Sequence, residues 1–121
     1  MQKPCCNIYV AVNDKNKILG GIFYCSDLKE YGLQLKINSG RTCALRYLAV
    51  DDNFRGFGIG QALVQACINH AKKDKKEKIF LHTLDSMKEA TKIYEKEGFQ
   101  RFKDIDFRNY GFEVKGFIKY I

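Results

Sequence analysis

From position 50 the chain reads Val-Asp-Asp-Asn-Phe-Arg-Gly-Phe-Gly-Ile-Gly-Gln, with glycines at 56, 58 and 60 and an arginine, Arg55, just ahead of them. A glycine-rich turn that opens into a helix exposes a run of backbone N–H groups at the helix N-terminus. Those donors and the helix dipole together make an anion site, and the missing side chains let a ligand come close. Arg55 adds a positive charge at the mouth, which suits a diphosphate. Two other phosphate-binding patterns are excluded. A P-loop ends in Gly-Lys-Ser/Thr, whereas Gly60 is followed by Gln61-Ala62; a dinucleotide fingerprint read from Gly58-Ile59-Gly60 needs Gly or Ala at position 63, which is Leu63. Taken alone, the glycines also fit a tight strand-to-helix turn that holds no ligand.

The elements around this segment decide whether it can work as a site. Residues 8–12 alternate apolar and β-branched types, residues 13–17 (Asn-Asp-Lys-Asn-Lys) carry turn chemistry, and residues 18–25 resume an extended run through Gly20-Gly21. That pattern predicts an antiparallel hairpin, with the glycines marking a bulge or a close approach. Residues 26–42 hold the turn signals Tyr31-Gly32 and Asn38-Ser39-Gly40 and read as a loop with a short strand at most. Residues 43–50 form a mostly apolar strand candidate buried on both faces. In the segment 59–73, positions 59, 62, 63, 66, 67, 70 and 71 give the stripe of an amphipathic helix. Residues 79–83 read as a further strand. Ser86 and Glu89 have the spacing of a capping box, and the helix they would open ends at Gly98, a natural left-handed cap. Residues 99–121, punctuated at residues 109–111 and at Gly116, read as two more strands. The order is β-β-β-α-β-α-β-β, an α/β fold in which helices flank a mixed, mostly antiparallel sheet.

Composition narrows the class. The 121 residues fit one domain spanning 1–121, and with one Pro and ten Gly the chain is neither disordered nor fibrous. No apolar run is long enough to span a bilayer, and the N-terminus lacks the apolar stretch of a secretory signal, so cytoplasmic residence is expected. The five cysteines, Cys5, Cys6, Cys25, Cys43 and Cys67, are odd in number and have no CxxC spacing. They argue against a disulfide framework and against a zinc site; no metal is expected, and buried reduced thiols are the simplest reading. Cys67 has no His or acid at a fixed spacing that would mark it as a nucleophile. Much of the net charge of +7 lies in Lys72, Lys73, Lys75, Lys76 and Lys78. These read as a solvated helix end, because a nucleic-acid surface would need interleaved aromatics or a recognition helix.

Arg55, Gly58 and Gly60 form an Arg-x-x-Gly-x-Gly motif that follows the strand Tyr47-Leu48-Ala49-Val50. About 34 residues after Gly60 comes Tyr94, in Ile93-Tyr94-Glu95-Lys96-Glu97-Gly98-Phe99. In this order and context the two motifs closely resemble the GNAT superfamily of acyl-CoA-dependent N-acetyltransferases, roughly from residue 8 to 102 and most strongly from 48 to 99. The resemblance implies acetyl-CoA as cosubstrate and direct acetyl transfer to an amine acceptor, with a non-catalytic CoA-binding or regulatory module of the same fold as the alternative. Backbone groups of Leu48, Ala49 and Val50 would pair with the pantetheine arm. The amides of Gly56, Phe57, Gly58, Ile59, Gly60 and Gln61, with Arg55, would take the pyrophosphate. The strand carrying Leu48 would splay from the one carrying residues 80–83, and a main-chain N–H near Leu48 or Ala49 would polarise the acetyl carbonyl. Tyr94 matches the tyrosine that protonates the leaving thiolate, although its helical spacing equally supports a core aromatic.

Three departures from the family pattern accompany this resemblance. Met87 stands seven positions before Tyr94, where many relatives carry an Asn. Ala44 stands where an acidic residue often sits, which leaves Asp27, Glu30 and His82 as candidate bases. The hairpin also begins at about Ile8, with no strand and helices ahead of it. Either the acceptor site is unusually open or a partner chain covers it, and the exposed apolar surface this leaves predicts a homodimer.

Overall fold

The computed structural model describes residues 6–26 and 41–121, so the turn signals at 31–32 and 38–40, with Asp27 and Glu30, lie outside the described residues. Among the described residues, seven strands and two helices follow in the order β1 (Cys6–Val12), β2 (Ile18–Cys25), β3 (Thr42–Val50), α1 (Ile59–Lys73), β4 (Lys78–Leu84), α2 (Lys88–Lys96), β5 (Gln100–Arg101), β6 (Phe107–Asn109) and β7 (Phe112–Tyr120). They build one sheet in the order β1-β2-β3-β4-β7-β5, with β6 also paired to β7. Every pairing is antiparallel except β3 with β4, whose parallel run requires the crossover that α1 supplies. No helix among the described residues is long and apolar enough to cross a membrane.

Local chemistry explains the well-placed elements. The β1–β2 turn closes because the Asn13 side-chain oxygen accepts the N–H groups of Lys15 and Lys17, each at 2.9 Å. Gly98 takes φ +93° and ends α2, with the Phe99 N–H donating back to the Tyr94 carbonyl at 2.9 Å. Tyr110 and Gly111 both adopt positive φ and close the β6–β7 hairpin.

The main core lies between the sheet and α1. Leu63, Val64, Cys67, Ile68 and Ala71 of the helix pack with Ile22, Tyr24, Leu45, Ile79 and Leu81 of the strands. Each fully buried Leu, Ile or Val contributes roughly 1.5–3 kcal/mol. The predicted helix stripe is corrected by about one residue: Gly60, Val64 and Ile68 are buried, whereas Ala62 is exposed. Bulky side chains set which face turns inward, and counting alanines as equal to them misplaced it. On the sheet's opposite face, Phe80, Ile105 and Ile118 form a second cluster with Phe102.

Three further expectations are corrected. The capping box does not form, because α2 starts at Lys88 with Met87 as its cap and no side-chain hydrogen bond there. A turn closed by the Met87 N–H to the Leu84 carbonyl (2.9 Å) takes up residues 84–87 instead. After α2 there are three strands where two were expected, because the two-residue β5 also pairs with β7. Gly116 is no punctuation: it lies inside β7, where a Cβ would come within 2.1 Å of Ile105 Cγ1. Only glycine lets the 102–106 segment lie this close to the strand.

Candidate functional site

The β3 strand is the element that creates an opening. Its pairing with β4 covers only Thr42↔Lys78, Cys43↔Ile79 and Ala44↔Phe80, although β3 runs on to Val50 and β4 to Leu84. On the other side, the register with β2 passes from Gly21↔Ala49 to Phe23↔Arg46, which leaves one extra residue in β3. Tyr47 sits at this bulge with φ +57°. A bulge bends and twists its strand, and this one lies just beyond the last β3–β4 pair. The outward ring of Tyr47 is held edge-on by Phe23 at 5.5 Å and lies under the Arg46 guanidinium at 4.7 Å. Beyond Ala44, β3 therefore runs on to Val50 without pairing to β4.

The same strand leads into the glycine-rich turn. Asp51 accepts the Asn53 N–H at 2.9 Å and starts a short 3-10 turn over Asp52–Phe54. Gly56 and Gly58 have φ of +87° and +79°, and a Cβ on either would meet nothing within 4 Å. Both are glycine because of their backbone conformation, and both face open space. The first bond inside α1 runs from the Ala62 N–H to the Gly58 carbonyl at 3.0 Å. Consequently the amides of Ile59, Gly60 and Gln61 have no acceptor within the helix, as at any helix start. Gly60 has a different reason for being glycine. A Cβ there would lie 2.8 Å from Ile93 Cδ1, so its absence lets α2 close on α1.

Strand end, turn and both helices enclose a cleft of about 590 Å³. Of the residues expected from sequence, Leu48, Ala49, Val50, Arg55, Gly56, Gly58, Ile59, Gly60 and Gln61 all line it. Phe57 does not, and is 75% exposed. Arg55 is partly engaged, forming an exposed ion pair with Asp52 at 2.9 Å. Sequence reasoning missed the opposite wall, where Glu89, Lys92, Ile93 and Lys96 face the cleft from α2. Their spacing at 89, 92, 93 and 96 marks one helix face, and it was the available signal. With Arg55, Lys92 and Lys96 on the rim, the cleft combines cations, open amides and an apolar wall. That combination suits an extended ligand carrying phosphates.

Tyr94 is placed differently. It is 3% exposed, belongs to the main core and packs edge-on against Phe99 at 5.7 Å. It is absent from the cleft lining, and burial raises its phenol above the usual tyrosine range. Cys67 behaves as an inert core thiol, pushed up to about 12 by burial. Ala44 is fully buried and offers no polar atom on its side chain.

His82 lies two residues beyond the last β3–β4 pair. Its Nε2 is 2.7 Å from the Ile105 carbonyl, which can only accept, so Nε2 carries the proton and Nδ1 the lone pair. Burial lowers its pKa below the ordinary value of 6.5, against smaller opposing effects from the Ile105 carbonyl and Asp106.

Comparison with known proteins places this geometry. The profile of the acetyltransferase (GNAT) family matches residues 2–99. An uncharacterized N-acetyltransferase of Dictyostelium discoideum is 37% identical over 62 residues, which are 51% of this chain and 29% of that protein, so the match spans under a third of the relative's length. A Bacillus anthracis protein solved in complex with acetyl coenzyme A superposes with a TM-score of 0.78 at 24% identity, covering 100% of this chain and 65% of the other. A chain from the NatC complex bound to Gag peptide and CoA gives 0.77 at 25% identity, covering 94% and 70%.

Proposed function

The chain belongs to the acetyltransferase (GNAT) family, and from that premise we propose that it moves an acetyl group from acetyl-CoA directly to an amine. One observation carries the reading: the end of β3 beyond its pairing with β4, at Leu48, Ala49 and Val50, and the open amides of α1 meet in a single cleft of about 590 Å³. The residues present fit the cosubstrate. Main-chain groups of Leu48, Ala49 and Val50 would hold the pantetheine arm as a neighbouring strand would. The amides of residues 56–61 and Arg55 would hold the diphosphate, and the Phe57 side chain would take no part. Lys92 and Lys96 add charge on the far wall. When bound, acetyl-CoA supplies an activated acyl group.

The remaining steps fall to this chain's own residues. A main-chain N–H at Leu48 or Ala49 polarises the acyl carbonyl in the gap between β3 and β4. His82 Nδ1 accepts the proton of the attacking amine, being the one candidate base among the described residues. Tyr94 is assigned as donor to the departing thiolate on its place in the motif, a role that requires a side chain buried off the cleft lining to reach the thiolate; burial holds its phenol protonated. Ile8, Val10 and Val12 are each more than half exposed on the edge strand β1, which supports a homodimer. Light scattering that gives a monomer mass at working concentration would remove the dimer from this picture.

A second reading has an observation in its favour. Tyr94 is buried off the cleft, and Ala44 stands at the place of an acid, as expected of a CoA-binding module without turnover. Thiol release from acetyl-CoA across a panel of small amines and peptide N-termini separates the two. Turnover on any acceptor supports the enzyme. Thermal stabilisation by CoA with no turnover supports the module, and no stabilisation at all refutes both.

A further inference from the structure

Cys6 and Cys25 are directly opposed in the β1–β2 register, and their Sγ atoms lie 2.8 Å apart. Opposed Cα atoms of antiparallel strands are about 4.5 or 5.5 Å apart, and both spacings fall inside the span a disulfide bridges. The two thiols differ in access. Cys6 is half-buried near the start of the edge strand, whereas Cys25 is fully buried. Neither Cys43 nor Cys67 shares this arrangement: Cys43 is opposed to Ile79 and Cys67 lies on α1, both 0% exposed. We propose that Cys6 and Cys25 form a reversible cross-strand disulfide, made by exchange with a small-molecule disulfide of the glutathione class.

The exchange balances in two steps. The Cys6 thiol loses its proton and attacks one sulfur of the small disulfide; that S–S bond breaks and one small thiol leaves. The Cys25 thiol then loses its proton and attacks the Cys6 sulfur of the mixed disulfide, and the second small thiol leaves. Two protein thiols are oxidised and one small disulfide is reduced to two thiols. Access selects Cys6 as the entry point and Cys25 as the resolving sulfur. The bridge would tie the edge strand into the row Cys25–Ala44–Phe80, which is where the pairing of β3 with β4 ends. A covalent staple at that row stiffens the border of the gap without adding a group to it. This inference does not depend on the acetyl-transfer reading.

The test uses the reduced full-length chain and oxidised glutathione. Remaining thiols are alkylated under denaturant, and the protein is digested with trypsin without reduction. The expected product links the peptide 1–15 to the peptide 18–29. The link should persist in Cys5→Ser, vanish in Cys6→Ser and reverse with dithiothreitol. Oxidation should raise Tm by roughly 10 °C in the parent and leave Cys6→Ser unchanged. The proposal is overturned if the link survives Cys6→Ser. It is equally overturned if Cys6 stops at the mixed disulfide while Cys25 is alkylated, or if no link forms.

Discussion

Replacing Tyr94 by Phe separates its two candidate roles, because the structure assigns ring and hydroxyl to different duties. The ring is 3% exposed and packs edge-on with Phe99, whereas only the hydroxyl could donate a proton. Tyr94→Phe keeps the buried ring and creates no unpaired donor, so stability should shift by no more than about 0.5 kcal/mol. Tyr94→Ala would instead open a cavity and cost about 3–5 kcal/mol. A general acid is worth about 100- to 10,000-fold in rate, or roughly 2.7–5.4 kcal/mol of barrier. The assay is continuous thiol release from acetyl-CoA with the best amine acceptor, run beside thermal unfolding. The expected pair of results is an unchanged Tm and a rate at least 100-fold lower. An unchanged Tm with a rate within about two-fold of the parent would falsify the acid assignment and leave Tyr94 as packing alone. The pH dependence follows from the same burial. Because the folded state holds the phenolic proton above the usual value of 10.0, the associated stability is intact below pH 10. It declines as pH rises further, where the unfolded chain binds fewer protons than the native one.

Two further substitutions probe the base and the turn. His82→Gln should reduce thiol release about 100-fold or more and abolish the acidic limb of the rate profile. In the parent that limb should lie below pH 6.5, because burial lowers the imidazole's pKa; an acidic limb that persists in the variant would exclude His82. Gly58→Ala meets no neighbour but forces an L-residue to φ +79°, at about 1–2 kcal/mol. Tm should fall by roughly 5–10 °C and the gain in Tm on adding CoA should shrink; an unchanged Tm would show that the turn relaxes without strain.

Much of this protein is written locally. The start of α1, the cap at Gly98 and the extent of β2 depend on residues within one or two turns. Periodicity and glycine placement were enough to expose them. Nine of the ten residues that the resemblance assigns to the cosubstrate lie around one cleft because they follow one another along a single strand-turn-helix path.

What joined distant segments was decided only in three dimensions. Gly60 reads like its neighbours in sequence, yet its reason is Ile93 on the other helix; Gly116 answers to Ile105 in the same way. The bulge at Tyr47 and the end of the β3–β4 pairing at Ala44 depend on register with two other strands. Lys92 and Lys96 reach the cleft because α2 docks on α1, and that docking is also what buries Tyr94. Backbone preference acts over a few residues, whereas close packing acts between surfaces brought together by the whole chain. A linear pattern can therefore specify an element before it can specify that element's neighbour.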